Sequence, residues 1–143
     1  MNTKDLFYKL VAFTSSVHRV TNELTKDAKP PSISTVQYKI LEYIAVNQPV
    51  TPSEINECQN MSMPNTSREL SKLSEKGIIE KIHDRDDRRK LVIRLSPEGE
   101  IMMKEAFATI EAHFLNRITD VSSEDLVEIE RAIDVLQGKL FNK

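Results

Sequence analysis

The chain is expected to be mainly α-helical with one small β-hairpin. Three observations predict this class. Apolar residues recur at steps of three and four through most of the 143-residue sequence. The pattern changes to strand-like runs once, at Ile78–Ile82 and Lys90–Leu95. The two runs are separated by His83-Asp84-Arg85-Asp86-Asp87-Arg88-Arg89, which has no glycine and is therefore a solvated charged loop rather than a two-residue turn.

Taken in order, Leu6, Leu10, Phe13, Val17, Val20 and Leu24 predict an amphipathic helix from about Lys4 to Lys26. Pro30 and Pro31 break it. Ser34 caps a second helix to about Val46, with Val36, Ile40 and Ile44 directed inward, and Asn47-Gln48-Pro49 is a turn. Thr51-Pro52-Ser53-Glu54 starts a short helix, with a threonine N-cap, proline at the first position and Glu54 closing a capping box. Ile55 is its clearest core anchor, and the helix ends near Gln59.

The next helix carries the most information. Ser62 is its N-cap and Pro64 falls in the first turn, where a missing N–H costs little. Thr66, Leu70 and Leu73 share one face, and Gly77 ends the helix as a C′ glycine. The opposite face holds Pro64, Asn65, Arg68, Ser71 and Lys72, groups suited to base edges and phosphates rather than to a core. In the second strand-like run, Leu91, Ile93 and Leu95 lie on one face and Val92 on the other. A short helix, a second helix with a polar face and a hairpin with an arginine-rich tip make a winged helix-turn-helix.

Several residues also match a known family. Asp87-x-Arg89 followed by Leu95-Ser96-Pro97-Glu98-Gly99 resembles the wing motif of MarR-type transcriptional regulators. Leu73-x-x-Lys76-Gly77-Ile78-Ile79 resembles the end of that family's recognition helix. Asn56 and Gln59 depart from the family, which usually has a small apolar residue and a leucine there. The resemblance implies a two-fold homodimer on a pseudo-palindromic operator in double-stranded DNA, most often as a repressor. It also implies modulation by a small aromatic or phenolic effector, bound between the terminal helices and the winged helix. By helix order Tyr8, Phe13, His18, Tyr38, Met102 and Phe107 are near enough to line such a cleft, although the core is the readier use for each.

On this basis one domain spans 1–143, with a DNA-binding core at about 33–96 and dimerisation helices at about 4–26 and 98–141. Pro97-Glu98-Gly99 opens a helix to about Thr119 that is apolar over more than one face, from Ile101 and Met103 through Phe107 to Phe114 and Ile118. Ser122 caps a last helix with Leu126, Ile129, Ile133, Leu136 and Leu140 on one stripe. Helices apolar over so wide an arc must bury two sides, and a second copy is the natural cover.

Asn65 and Arg68 are the candidates for base edges, Lys72 for phosphate, and Ser62 and Ser67 for further phosphate contacts, with Pro64 at the same helix start. At the wing, Arg89 is the candidate for the minor groove, with Asp87 orienting it or tying the turn and Arg85, Arg88 and Lys90 adding phosphate contacts. The net charge of −2 conceals a segregation: residues 60–95 carry nine Lys/Arg against six Asp/Glu, a local +3.

Other classes lack support. His18, His83 and His113 have no metal-ligand spacing, and no catalytic motif is present, so no catalytic residue, metal or cofactor is expected. No apolar run is long enough to span a membrane and no signal peptide is recognisable, so no membrane partner is expected and the cytoplasm is the default. Cys58, the single cysteine, lies between Glu54, Glu57 and Gln59 and is expected as a partly buried packing residue. The alternatives are a redox-responsive regulator acting through Cys58, or a winged helix that binds a partner protein and never reads DNA.

Overall fold

A computed structural model of the chain describes residues 1–142. It comprises two compact units, Met1–Ile110 and a second beginning at Glu111. The helices are α1 (Thr3–Thr25), α2 (Thr35–Asn47), α3 (Pro52–Gln59), α4 (Met63–Glu75), α5 (Pro97–Arg117) and α6 (Ser123–Leu136). The strands β1 (Ile79–His83) and β2 (Leu91–Leu95) lie between α4 and α5. The fold is a mainly helical winged helix-turn-helix.

In the first unit, side-chain caps set the helix starts. Ser34 and Gln37 form a reciprocal capping box on α2. At α3 the Thr51 hydroxyl accepts the Glu54 N–H and donates to the Glu54 carboxylate. The Ser62 hydroxyl accepts the Asn65 N–H at the start of α4. Ile40, Leu41, Ile44, Ile55, Leu73 and Ile93 are almost fully enclosed, so the core lies where α2, α3, α4 and the hairpin meet.

Val36 does not join this core: it is 45% exposed. The buried arc of α2 runs through Gln37, Ile40, Leu41 and Ile44 and extends to Tyr38, and a step of four residues back from Ile40 falls outside it. Cys58 is likewise exposed rather than packed. In α3 the inward arc runs from Ile55 through Gln59 to Asn56, and Cys58 sits on the other side.

Helix α4 ends in a complete Schellman motif. Gly77 adopts φ +73°, its N–H donates to the Ser74 carbonyl, and the Ile78 N–H donates to the Leu73 carbonyl. That capping bond claims Ile78, so β1 starts one residue later than the apolar run does. The hairpin pairs Ile79 with Leu95 and Ile82 with Val92. Val50 adds a bridge to Ile93, giving the hairpin a short third partner that the turn reading of Asn47-Gln48-Pro49 does not foresee.

The base of the hairpin is closely packed. The Ser96 N–H donates to the Ile78 carbonyl, and its hydroxyl donates to the Gly77 carbonyl and accepts the Gly99 N–H. Ser96 thus closes the hairpin and starts α5. Gln48 clamps the same region, accepting the Leu95 N–H at 2.9 Å and donating to Glu100 at 2.8 Å. A Cβ on Gly99 would lie 2.1 Å from the Ile78 carbonyl oxygen, so only glycine fits.

In the second unit, Ser122 accepts the Asp125 N–H and starts α6. The last expected stretch does not continue as α-helix: residues Gln137–Phe141 form a π-helical turn that contains Gly138. Neither α1 nor α6 buries a residue. Among the described residues no helix is long and apolar enough to cross a membrane.

Gly99→Ala should destabilise the protein by about 1–3 kcal/mol through overpacking against backbone. Gly138→Ala, where nothing lies within 4 Å of the new Cβ, should shift the thermal midpoint far less. Calorimetry of the two variants checks the contrast, and equal midpoints would remove the steric account of Gly99.

Candidate nucleic-acid interface

Helix α4 separates its two faces cleanly. Thr66, Leu70 and Leu73 are buried, while Ser62, Pro64, Asn65, Ser67, Arg68, Ser71 and Lys72 are exposed. All the residues singled out on this helix therefore lie outside the core, on its first three turns or its N-cap. Lys72 stands 3.5 Å from Glu69, which reduces its free charge at that edge. Arg68 has no partner among the described residues.

The turn before α4 is built by a left-handed residue. Asn60 has φ 51°, its N–H reaches the Glu57 carbonyl and the Met61 N–H reaches the Asn56 carbonyl. Asparagine tolerates this conformation better than most residues. The two departures from the family pattern have local uses. Gln59 donates to the Lys39 carbonyl at 3.3 Å, tying α3 to α2, and the Asn56 amide meets the Met63 sulfur at the start of α4.

The wing tip is a chain of aspartate-stabilised turns. Asp84 Oδ1 accepts the Asp86 N–H, and Asp87 Oδ1 accepts the Arg89 N–H, each at 3.0 Å. The Lys90 N–H closes a turn onto the Asp87 carbonyl, and the Asp84 N–H returns to the Lys90 carbonyl. Asp87 Oδ1 also lies 3.4 Å from Arg89 Nε, so Asp87 both ties the turn and orients the arginine. The Arg89 side chain is nevertheless 94% exposed. Lys90 is drawn to Asp84 at 3.9 Å, and at the hairpin's base Arg94 pairs with Glu80 at 2.9 Å. Arg85 and Arg88 are exposed and, among the described residues, unpaired.

Three comparisons place this geometry. A model of the MarR family matches residues 32–90, from before α2 to the wing tip. An uncharacterized HTH-type transcriptional regulator of Bacillus subtilis, YdgG, is 30% identical over 132 residues, covering 91% of this chain and 84% of that protein. The chain belongs to the MarR family. A MarR family protein from Bacillus stearothermophilus has the same fold, with TM-score 0.76 at 19% identity over 99% of both chains. S. aureus MepR bound to ethidium bromide superposes with TM-score 0.64 at 18% identity, over 90% of this chain and 96% of that one.

As a member of the MarR family the protein is a DNA-binding transcriptional regulator and not an enzyme. The residues considered for an effector cleft divide by burial. Tyr38 belongs to the core, Met102 and Phe107 pack against it, and Tyr8, Phe13 and His18 are exposed. Burial, reinforced by the charge of Glu42, raises the Tyr38 phenol well above its ordinary range. Cys58 lines a shallow surface depression of about 370 Å³ with Lys39, Tyr43 and Val46.

Sequence reasoning missed Gln37 and Glu69. Gln37 is only 5% exposed and donates to Glu69 at 3.0 Å, joining α2 to α4. A polar residue three positions after Ser34 signals a capping box, but nothing in the sequence shows that it also reaches another helix.

Asp87→Ala should remove both the turn bond and the arginine contact, whereas Asp87→Asn retains an acceptor for the Arg89 N–H. Amide exchange at Arg89 should rise severalfold in the alanine variant and change little in the asparagine variant. Equal protection in both would show that Asp87 does not hold the turn.

Proposed function

We propose that this MarR-family regulator is a cytoplasmic homodimeric repressor that reads a pseudo-palindromic operator in double-stranded DNA and is released by a small aromatic or phenolic effector. The observation that carries the reading is the exposed face of α4 together with the wing tip. Asn65 and Arg68 take base edges in the major groove, and Ser62, Ser67 and Lys72 take phosphates beside Pro64. Arg89, held by Asp87, enters the minor groove, with Arg85, Arg88 and Lys90 on the flanking backbone. The face of Asn65, Arg68, Ser71 and Lys72 offers no apolar anchor, which speaks against a module that binds only proteins.

Dimerisation draws support from the terminal helices. In α1, Leu6, Phe7 and Val11 are 47–57% exposed, and in α6, Ile129 and Ile133 are 46% and 54% exposed. Apolar surface repeated at helical spacing needs a cover, and a second copy places two reading helices about one turn of DNA, ~34 Å, apart. The effector reading rests on the relative that binds ethidium, a planar aromatic cation. A redox-responsive regulator is the second reading, favoured by the exposure of Cys58.

Fluorescence anisotropy with DNA from upstream of the protein's own reading frame, against a scrambled duplex at two salt concentrations, tests the function. Tighter, salt-sensitive binding to the native fragment is expected, followed by release on adding planar aromatic compounds. Equal binding to both duplexes would refute an operator in that fragment. Arg89→Ala should weaken operator binding about tenfold or more and relax preference for A·T-rich flanks, with the dimer intact by ultracentrifugation. Unchanged affinity would remove the wing from the interface. Peroxide treatment that leaves affinity unaltered would eliminate the Cys58 reading.

A further inference from the structure

We infer that Gln37, which is not on the DNA-facing surface, is a positioning residue that sets the roll of the reading helix α4 and thereby its sequence discrimination. The inference rests on the proposed reading of DNA by α4. Gln37 is 5% exposed and lies at the first turn of α2. Its carbonyl oxygen accepts the Ser34 N–H at 3.1 Å and the Lys76 ammonium at 3.3 Å. Its amide nitrogen donates to Glu69 Oε2 at 3.0 Å. Lys76 in turn donates to the Ser32 carbonyl at 2.6 Å.

Glu69 and Lys76 are seven residues apart, so they stand on the same edge of the helix line, two turns from one another. One buried amide therefore grips α4 at Glu69 and at its C-cap residue, Lys76. The core does not supply this constraint, because only Thr66, Leu70 and Leu73 of α4 are buried, and they form one narrow stripe. Apolar contacts along a stripe are non-directional and resist a small roll weakly. The Gln37 contacts lie about a quarter-turn to the side of that stripe, and hydrogen bonds are directional. A roll of about 20° would carry a side chain on the far face by roughly 2 Å, given a helix radius of ~5–6 Å. That displacement defeats a bidentate contact to a base edge, whereas diffuse attraction to phosphates survives it. Loss of Gln37 should therefore cost specificity more than affinity.

The charges allow a selective test. Gln37→Glu preserves the acceptor for Ser34 and Lys76 but sets a carboxylate against Glu69, where two like charges repel. Adding Glu69→Gln restores a donor–acceptor pair with the roles exchanged, and Glu69→Gln alone gives the baseline for removing an acid from α4. Gln37→Met removes the polar contacts at similar volume. The probe is a duplex selected from a random pool by the wild-type protein, measured against its scramble. The ratio of the two affinities should fall about tenfold in Q37E and Q37M and recover to within about twofold of the E69Q baseline in Q37E/E69Q, with scramble affinity little altered across the Gln37 variants. Undiminished discrimination in Q37E, or no recovery in the double variant, would overturn the inference.

Amide exchange over residues 66–76 provides a readout without DNA. It should quicken severalfold in Q37M while exchange in β1 and β2 stays constant. Selection of no sequence by the wild type would refute the regulator reading, and the brace would then stand or fall on this exchange: unchanged α4 amides in Q37M would overturn it.

Discussion

The Ile78 carbonyl is the constraint on which the winged head depends. It is approached by the Ser96 N–H on one side and by the bare Cα of Gly99 on another. Within this contact α4 has just ended, the hairpin is about to open and α5 is about to begin. The two strands are only five residues each, and a two-stranded hairpin alone is marginal in water. They are fixed because one peptide group and one serine hydroxyl serve the end of α4, the base of the hairpin and the cap of α5 at once. The Leu-Ser-Pro-Glu-Gly string at Leu95–Gly99 is therefore an architectural motif as much as a signature of the family. Serine supplies the bonds, proline tolerates the first helical turn and glycine permits the approach.

A second principle governs the charges. The wing tip contains three aspartates, of which Asp84 and Asp87 are committed to backbone N–H groups. Glu80 is paired with Arg94 across the hairpin, and Glu69 is engaged by Gln37 and Lys72. Asp84 and Asp87 shape the backbone, while Arg68, Arg85 and Arg88 are left unpaired among the described residues and Arg89 projects outward. Exposed ion pairs of this kind contribute little stability, so their effect is on geometry.

The sequence conveyed those features whose physical cause is local. The caps at Ser34, Thr51, Ser62 and Ser122, the glycine stop at Gly77 and the hydrophobic stripe of α4 all arise within a few residues, and all are legible in the chain. What escaped is non-local. Val36 looks inward by spacing alone, but the arc of α2 is set by what packs on it, and Tyr38 and Leu41 draw the arc the other way. Val50 is a lone apolar residue between a proline and a threonine, too short to announce its bridge to Ile93. Cys58 turns outward because Ile55 and Gln59 face the neighbouring elements, Ile55 in the core and Gln59 through its bond to the Lys39 carbonyl. Gln37 belongs to the same group, since its partners at Glu69 and Lys76 lie more than thirty residues away.

These observations divide the molecule by how completely each part satisfies itself. In the head, helix ends are capped, the apolar core is closed and Asp84 and Asp87 hold the turns of the wing tip, so the head is specified by its own residues. Helices α1 and α6 are different: they have good caps, at Asn2 and Ser122, but no buried residue. A helix can start well and still lack the packing that supplies most helical stability in proteins. For the proposed dimer this means that the shape of each reading head and the separation between the two heads are controlled by different interactions. Contacts within one chain set the first, and contacts made only on association set the second. An effector that altered the second would change the fit to a two-site operator without touching Arg68, Arg89 or the junction at Ile78. Because association is concentration-dependent, the same division makes operator occupancy sensitive to protein concentration even when the head itself is stably folded.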